Sequence, residues 1–157
     1  MRSVLSASLF FVLFLLSSCE VEKSEPLFTI VGGQVVDTGL LKEKVLVINY
    51  WAEWCKPCVE EIPALNHFYA VHRDRVFLVG VNYDGLAEQP LMDQAAKMGI
   101  EFPLSQRDLA DRLGYPGVEV LPTTVFLSLD NRQQVILKGP QTLQSLESAL
   151  FSVRKMH

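Results

Sequence analysis

Two cysteines separated by two residues carry the clearest chemistry in this sequence. Cys55 and Cys58 enclose Lys56 and Pro57, and they follow directly on the apolar run at 45–50, Val-Leu-Val-Ile-Asn-Tyr. A β-branched run of this kind predicts a buried strand, and a Cys-x-Pro-Cys after it predicts the first turn of a helix. Cysteines three positions apart at a helix start can close a disulfide, and the helix N-terminus favours the thiolate over the thiol. The sequence therefore predicts a reversible dithiol–disulfide couple.

The third cysteine, Cys19, ends a segment that is typical of a secretory signal peptide. Residues 1–18 contain Arg2 and no acid, then an apolar run at 9–16, then two serines. The run is shorter than the about 20 residues that a membrane-spanning helix needs. Leu16-Ser17-Ser18-Cys19 also resembles a bacterial lipobox, so we expect removal of residues 1–18 and lipid attachment to Cys19. An ordinary signal peptide and a short signal anchor are the alternatives.

Composition and cysteine count narrow the possible classes of protein. The chain has 157 residues and a formal net charge of −4, and loss of the signal makes the charge one unit more negative. An acidic chain has no electrostatic basis for binding nucleic acid or an anionic membrane surface. One close cysteine pair predicts neither a disulfide-stapled scaffold nor a zinc site. We expect a polar tether at 19–26 and one domain at 27–157, monomeric and without a cofactor other than its redox-active disulfide.

The elements that position the cysteines alternate along the chain. Hydrophobic periodicity and turn residues predict strands at 27–30, 34–37, 45–50, 76–82, 102–104, 123–129 and 133–138, and helices at 56–72, 88–98, 106–113 and 142–153. The first two strands flank Gly32-Gly33 and predict a hairpin. This order predicts an α/β fold with a mixed sheet flanked by helices.

With these elements in place, residues 45–58 resemble the active-site region of the thioredoxin superfamily, and specifically its TlpA/ResA-like branch of exported thiol–disulfide oxidoreductases. Glu60-Glu61-Ile62-Pro63 resembles the Glu-x-Pro that follows the cysteines in this branch, and 84–102 resembles its central insertion. Leu121-Pro122-Thr123-Thr124 resembles the cis-proline loop opposite the dithiol. The resemblance covers 27–153 and implies a thioredoxin-like fold with an N-terminal β-hairpin and a central βα insertion.

Position and resemblance together assign roles around the dithiol. Cys55, at the helix start, is predicted to be the attacking thiolate, supported by the helix dipole and by the charge of Lys56, with Pro57 beside it. Cys58 is predicted to be the resolving thiol. A static disulfide is the alternative. The resemblance implies that Pro122 is cis and that the substrate groove contains Trp54, Leu121, Pro122 and Thr123.

One residue departs from thioredoxin. Asn49 stands where thioredoxin has a buried acid, and an amide cannot accept the proton of the resolving cysteine. Glu53 and Glu61 are candidates for that task, although both also fit a solvated helix end. Five further residues receive weaker predictions: Trp51 for packing, Tyr115 and Glu119 as groove or loop residues, and His67 and His72 as surface or boundary residues of the helix.

The resemblance favours reduction over oxidation. Lys-Pro between the cysteines is closer to the Gly-Pro of reducing relatives than to the Pro-His of strongly oxidising ones. We expect a reductant of exported proteins, with apocytochrome c as one possible substrate, that draws electrons from a membrane donor. An oxidase or isomerase, a copper carrier aided by Met92, Met98 or a histidine, and a peptide-binding module stay open. The location is expected to be the periplasmic side of a bacterial envelope, at the inner or the outer membrane.

Overall fold

The computed structural model describes residues 24–130 and 133–155. The predicted signal peptide, Cys19, most of the predicted tether and the hairpin residues Asn131 and Arg132 lie outside this range. The elements in chain order are β1 (Pro26–Thr29), β2 (Val35–Asp37), β3 (Val45–Trp51), α1 (Lys56–His72), β4 (Val76–Asn82), α2 (Glu88–Met98), β5 (Leu104–Ser105), α3 (Ala110–Leu113), β6 (Thr123–Leu127), β7 (Gln134–Lys138) and α4 (Leu143–Lys155).

Five strands form one mixed sheet in the order β5-β4-β3-β6-β7. Strands β3, β4 and β5 run parallel, whereas β6 pairs antiparallel with both β3 and β7. Strands β1 and β2 form a separate antiparallel hairpin, and β4–α2–β5 is a parallel crossover. The predicted fold class, a mixed sheet flanked by helices with an N-terminal hairpin, is confirmed.

Side chains along β3 point alternately to the two faces of the sheet. All seven residues of β3 are buried, so the strand is covered on both faces. Val45 and Val47 pack with Leu65 of α1 and with α4, whereas Leu46 belongs to the core on the opposite face. The hairpin and α3 cover that second face. Consecutive β3 side chains therefore pack into two different hydrophobic cores, one on each face of the sheet.

The bounds of most helices and strands agree with the prediction, but those of the third helix do not. The helix predicted at 106–113 is reduced to Ala110–Leu113. Ser105 Oγ accepts the Arg107 backbone N–H at 3.2 Å, and Asp108 Oδ1 accepts the Ala110 N–H at 3.0 Å. Because these side chains bond to the backbone locally, the segment before Ala110 forms turns rather than a helix.

Within residues 24–130 and 133–155, none of the helices combines the length and the apolar character that crossing a membrane requires.

Candidate active site

The two cysteines lie at the amino end of α1 and are joined by a disulfide, with their Cα atoms 5.2 Å apart. Cys55 has an extended backbone and is the N-cap of α1, and the Cys58 backbone N–H donates to Cys55 Sγ at 3.3 Å. An N–H aimed at the sulfur, together with the helix dipole, stabilises a thiolate on Cys55. Cys55 is 5% exposed and Cys58 is 0% exposed. A partner can therefore reach Cys55 first.

The residues between the cysteines contribute in different ways. Pro57 occupies the first turn of α1, where its missing N–H leaves no hydrogen bond unmade. The side chain of Lys56 is 88% exposed and lies 3.9 Å from Glu60. Its charge is therefore largely screened by solvent, and the helix terminus is the stronger influence on Cys55.

A buried carboxyl group lies one helical turn beyond Cys58. Glu61 is 1% exposed, and its Oε1 accepts from Asn49 Nδ2 at 2.7 Å while its Oε2 accepts from the Gln141 backbone N–H at 2.8 Å. Burial raises the pKa of Glu61 to about 7, and the hydrogen bonds from Asn49 and Gln141 only partly oppose this rise. A carboxyl group with this pKa exchanges protons near neutral pH.

Of the two interpretations of Glu61, the solvated helix-end acid is excluded because the side chain is buried. Two periodicities explain this burial. Cys58, Glu61, Ile62 and Leu65 follow the helical spacing of the buried stripe of α1. Asn49 belongs to the same face of β3 as Val45 and Val47, which faces α1. Glu53, the other candidate, is exposed and lies 3.4 Å from Lys97.

Asn49 is itself part of a small buried network. Its Nδ2 also donates to Thr124 Oγ1 at 3.0 Å, on the neighbouring strand β6. Its Oδ1 is buried without a hydrogen-bond partner in the described structure. The amide thus connects the Glu61 carboxyl to the strand that follows the proline loop.

The proline loop packs against the dithiol. The Leu121–Pro122 peptide bond is cis, as the resemblance implied, and Leu121 packs on the cluster that contains both cysteines. Pro122 is buried, and its carbonyl accepts the Gly139 N–H at 2.9 Å. The Thr123 hydroxyl donates to the Val120 carbonyl at 2.6 Å, so this side chain holds the loop and lines a neighbouring cavity rather than the groove beside Cys55.

A groove of about 480 Å³ opens beside Cys55. It is lined by Trp54, Cys55, Lys56, Pro57, Tyr83, Glu119, Val120 and Leu121. Trp54, Tyr83 and Val120 are 66%, 49% and 47% exposed, which is unusual for large apolar side chains and is typical of a binding surface. Sequence reasoning placed Trp54, Leu121 and Glu119 here but missed Tyr83 and Val120, because neither belongs to a recognisable motif.

The remaining candidates do not line the groove. Trp51 is fully buried and packs beside the cysteines, in line with its predicted role. Tyr115 is buried on the opposite face of the sheet, where its hydroxyl lies 2.6 Å from that of Tyr50, so it does not line the groove. His67 is exposed. His72 is 8% exposed at the far end of α1, and its Nε2 lies 3.1 Å from Glu147 Oε1.

No three His, Cys, Asp or Glu side chains within the described ranges are grouped so as to hold a metal ion. Met92 is 44% exposed on α2, and Met98 is partly buried against the core.

Comparisons with known proteins agree with this site. The sequence model of the Redoxin family matches residues 20–138. The chain is similar to the thiol-disulfide oxidoreductase ResA of Bacillus thuringiensis, with 27% identity over 85% of this chain and 79% of that protein. It is also similar to ResA of Oceanobacillus iheyensis, with 30% identity over 72% and 59% of the two chains.

Solved structures show the same fold. A DsbF homologue from Corynebacterium diphtheriae is 25% identical, with a TM-score of 0.66 over 83% of this chain and 87% of that chain. A thioredoxin family thiol:disulfide interchange protein from Chlorobium tepidum is 20% identical, with a TM-score of 0.67 over 83% and 97% of the two chains.

Proposed function

Because the chain belongs to the Redoxin family, in the TlpA/ResA-like branch of the thioredoxin superfamily, we propose that this thiol–disulfide oxidoreductase reduces disulfides of other exported proteins. The observation that carries the proposal is the unequal placement of the two sulfurs. Cys55 borders an open apolar groove, whereas Cys58 is fully buried one turn from Glu61. That arrangement suits sequential attack by two different thiols.

In the first step, the Cys55 thiolate attacks one sulfur of the substrate disulfide. The substrate S–S bond breaks, a new S–S bond joins Cys55 to the substrate, and the other substrate sulfur leaves as a thiolate. The helix terminus and the Cys58 N–H stabilise the Cys55 thiolate before attack. Leu121 and the exposed rings of the groove hold the substrate segment beside the sulfur.

In the second step, Cys58 loses its proton and attacks Cys55 Sγ. The Cys55–Cys58 disulfide forms, the second substrate sulfur leaves as a thiolate, and two electrons have passed to the substrate. Glu61 is the acid–base group for this step, because it is the buried carboxyl nearest in sequence to Cys58 on the same face of α1. Asn49 and Gln141 orient the carboxyl and take no proton themselves.

The proposed cellular setting is the periplasmic side of a bacterial envelope. The N-terminal segment that resembles a lipoprotein signal supports export and attachment through Cys19, on the periplasmic side of the envelope. A reductant in an oxidising compartment must be recharged by an external dithiol, for which a membrane protein is the natural source. Exported proteins with paired cysteines, apocytochrome c among them, are the proposed substrates.

The reduction potential of the Cys55–Cys58 couple tests the direction of electron flow. Equilibration against dithiothreitol or glutathione buffers, followed by thiol labelling, measures it. We expect a value near or below about −250 mV, close to that of thioredoxin. A value of about −120 to −180 mV, the range of oxidants and isomerases, contradicts the reductase proposal and assigns the protein to disulfide formation or shuffling.

Substitution of the resolving cysteine tests the order of attack. We expect Cys58→Ser to accumulate a mixed disulfide between Cys55 and a disulfide-bonded substrate, because the second step is blocked. Cys55→Ser is the matched control and should form no such adduct. Equal trapping by both variants would contradict the assignment of Cys55 as the attacking thiol.

A further inference from the structure

Trp54 is the most exposed aromatic side chain at the groove, and yet it is held in one orientation. Although it is 66% exposed, its indole Nε1–H is shared between both carboxylate oxygens of Asp84, at 3.2 and 3.1 Å. Its ring also packs edge-on against Tyr83, with centroids 6.5 Å apart. An exposed side chain normally samples several rotamers, and these contacts restrict Trp54 to one of them.

The turn that supplies these contacts is itself fixed to the strands beneath the dithiol. The Tyr83 backbone N–H donates to the Trp51 carbonyl at 2.9 Å, which ties the turn to the end of β3. The Asp84 N–H donates to Asn82 Oδ1 at 2.9 Å, which sets the direction of the turn after β4. Asp84 therefore has a defined position relative to Cys55, although the two belong to different strand ends.

Resting on the proposed function, we propose that Asp84 is a positioning residue for substrate recognition: it fixes the Trp54 indole as a preformed wall of the groove beside Cys55. Trp54 immediately precedes Cys55, so the orientation of its ring decides the shape of the groove wall along which a bound segment lies. Because the Trp54 ring is already ordered in the free protein, the binding free energy is not reduced by the entropic cost of ordering it. Asp84 acts through Trp54 and takes no part in the thiol chemistry.

The position of Trp54 in the groove predicts which substrates are affected when Asp84 is lost. An extended segment must lie along Trp54 and Leu121 to present its cysteine, whereas a small disulfide needs only the sulfur. Loss of Asp84 should therefore raise KM for a peptide and leave exchange with a small disulfide unchanged. The probes are a synthetic peptide with an apolar residue on each side of one cysteine, linked by a disulfide to a thiol dye, and 2-hydroxyethyl disulfide. Dithiothreitol reduces the Cys55–Cys58 disulfide after each turnover, and the rate without protein is subtracted.

A double-mutant cycle in the full chain separates positioning from charge. We expect Asp84→Ala to raise the peptide KM by about three- to tenfold with little change in kcat, and Asp84→Asn to retain most of the affinity because its amide oxygen still accepts from the indole. In a Trp54→Phe background, where the donor is absent, Asp84→Ala should have no further effect. Asp93→Ala removes another exposed carboxylate and is the matched control.

A spectroscopic measurement tests the contact without substrate. The chain has two tryptophans, so ¹H–¹⁵N spectra contain two indole resonances, and Trp54→Phe identifies that of Trp54. We expect Asp84→Ala to shift this resonance and Asp93→Ala to leave it in place. The proposal is overturned by an unchanged resonance, by an unchanged peptide KM in Asp84→Ala, or by equal effects of Asp84→Ala with and without the indole. A wild-type protein that reacts with neither disulfide contradicts the proposed function instead, which is a different result.

Discussion

Replacing Glu61 by Gln should change how the stability of the oxidised protein depends on pH. Glu61 is 1% exposed, and burial raises its pKa from 4.5 to about 7. Between these two values the unfolded chain has released the proton and the folded chain still holds it. Folding then loses about 1.4 kcal/mol for each pH unit, or about 3 kcal/mol over the whole interval. Stability attributable to Glu61 is therefore fully present below pH 4.5 and is lost as the pH rises to about 7.

Glutamine keeps the size of the side chain and cannot ionise. Its oxygen can still accept the Gln141 N–H, and rotation of the Asn49 amide would offer the partnerless Oδ1 to the new amide group. We therefore expect E61Q to fold and to show a flatter pH profile than wild type. The difference in unfolding free energy should shift in favour of the variant by about 3 kcal/mol between pH 4.5 and 7.5.

Urea denaturation of the disulfide-bonded protein at several pH values measures this difference, and the disulfide excludes thiol titration from the result. Glu60→Gln is the matched control, because Glu60 is the adjacent, solvent-exposed acid of α1. Its profile should run parallel to that of wild type. Parallel profiles for wild type and E61Q would refute the assignment of Glu61 as the group that titrates near neutral pH.

Two further predictions concern packing and anchoring. Gly80→Ala should lower the free energy of unfolding, measured in urea, by about 1–3 kcal/mol. The new Cβ would lie 2.9 Å from Trp51 Nε1 and 3.0 Å from two further side chains, whereas Gly117→Ala is the neutral control because nothing lies within 4 Å of its Cβ position. Cys19→Ala should move the protein from the detergent phase to the aqueous phase in Triton X-114 partitioning, and retention in the detergent phase would contradict lipid attachment at Cys19.

The local signals in the sequence were sufficient for most of the helix and strand limits. The limits of α1 (Lys56–His72) and β4 (Val76–Asn82) agree with the prediction, because strong apolar periodicity and clear end signals coincide there. The short helix α3 was overestimated, because Ser105 and Asp108 bond to the backbone in a way that composition does not reveal.

The site was predicted less completely than the fold. Cys55, Cys58 and the proline loop lie in motifs, and motifs are local. The pairing of Asn49 with Glu61 joins residues 12 positions apart and depends on which face of β3 meets which face of α1. The contact of Trp54 with Asp84 spans 30 positions and depends on a turn after β4. Such contacts follow from the sheet order, which no local pattern specifies.

Because side chains alternate along β3, the contacts of the redox site depend on the register of that strand. Asn49 faces α1 and bonds to Glu61, whereas its neighbour Tyr50 faces the other layer and bonds to Asp108 and Tyr115. If β3 slipped by one residue against β4 and β6, every one of its side chains would change face. The slip would bring a tyrosine to the buried carboxyl and leave an amide among the apolar residues of the opposite core. The hydrogen bond between Asn49 and Glu61 therefore forms only when the central strand is in register.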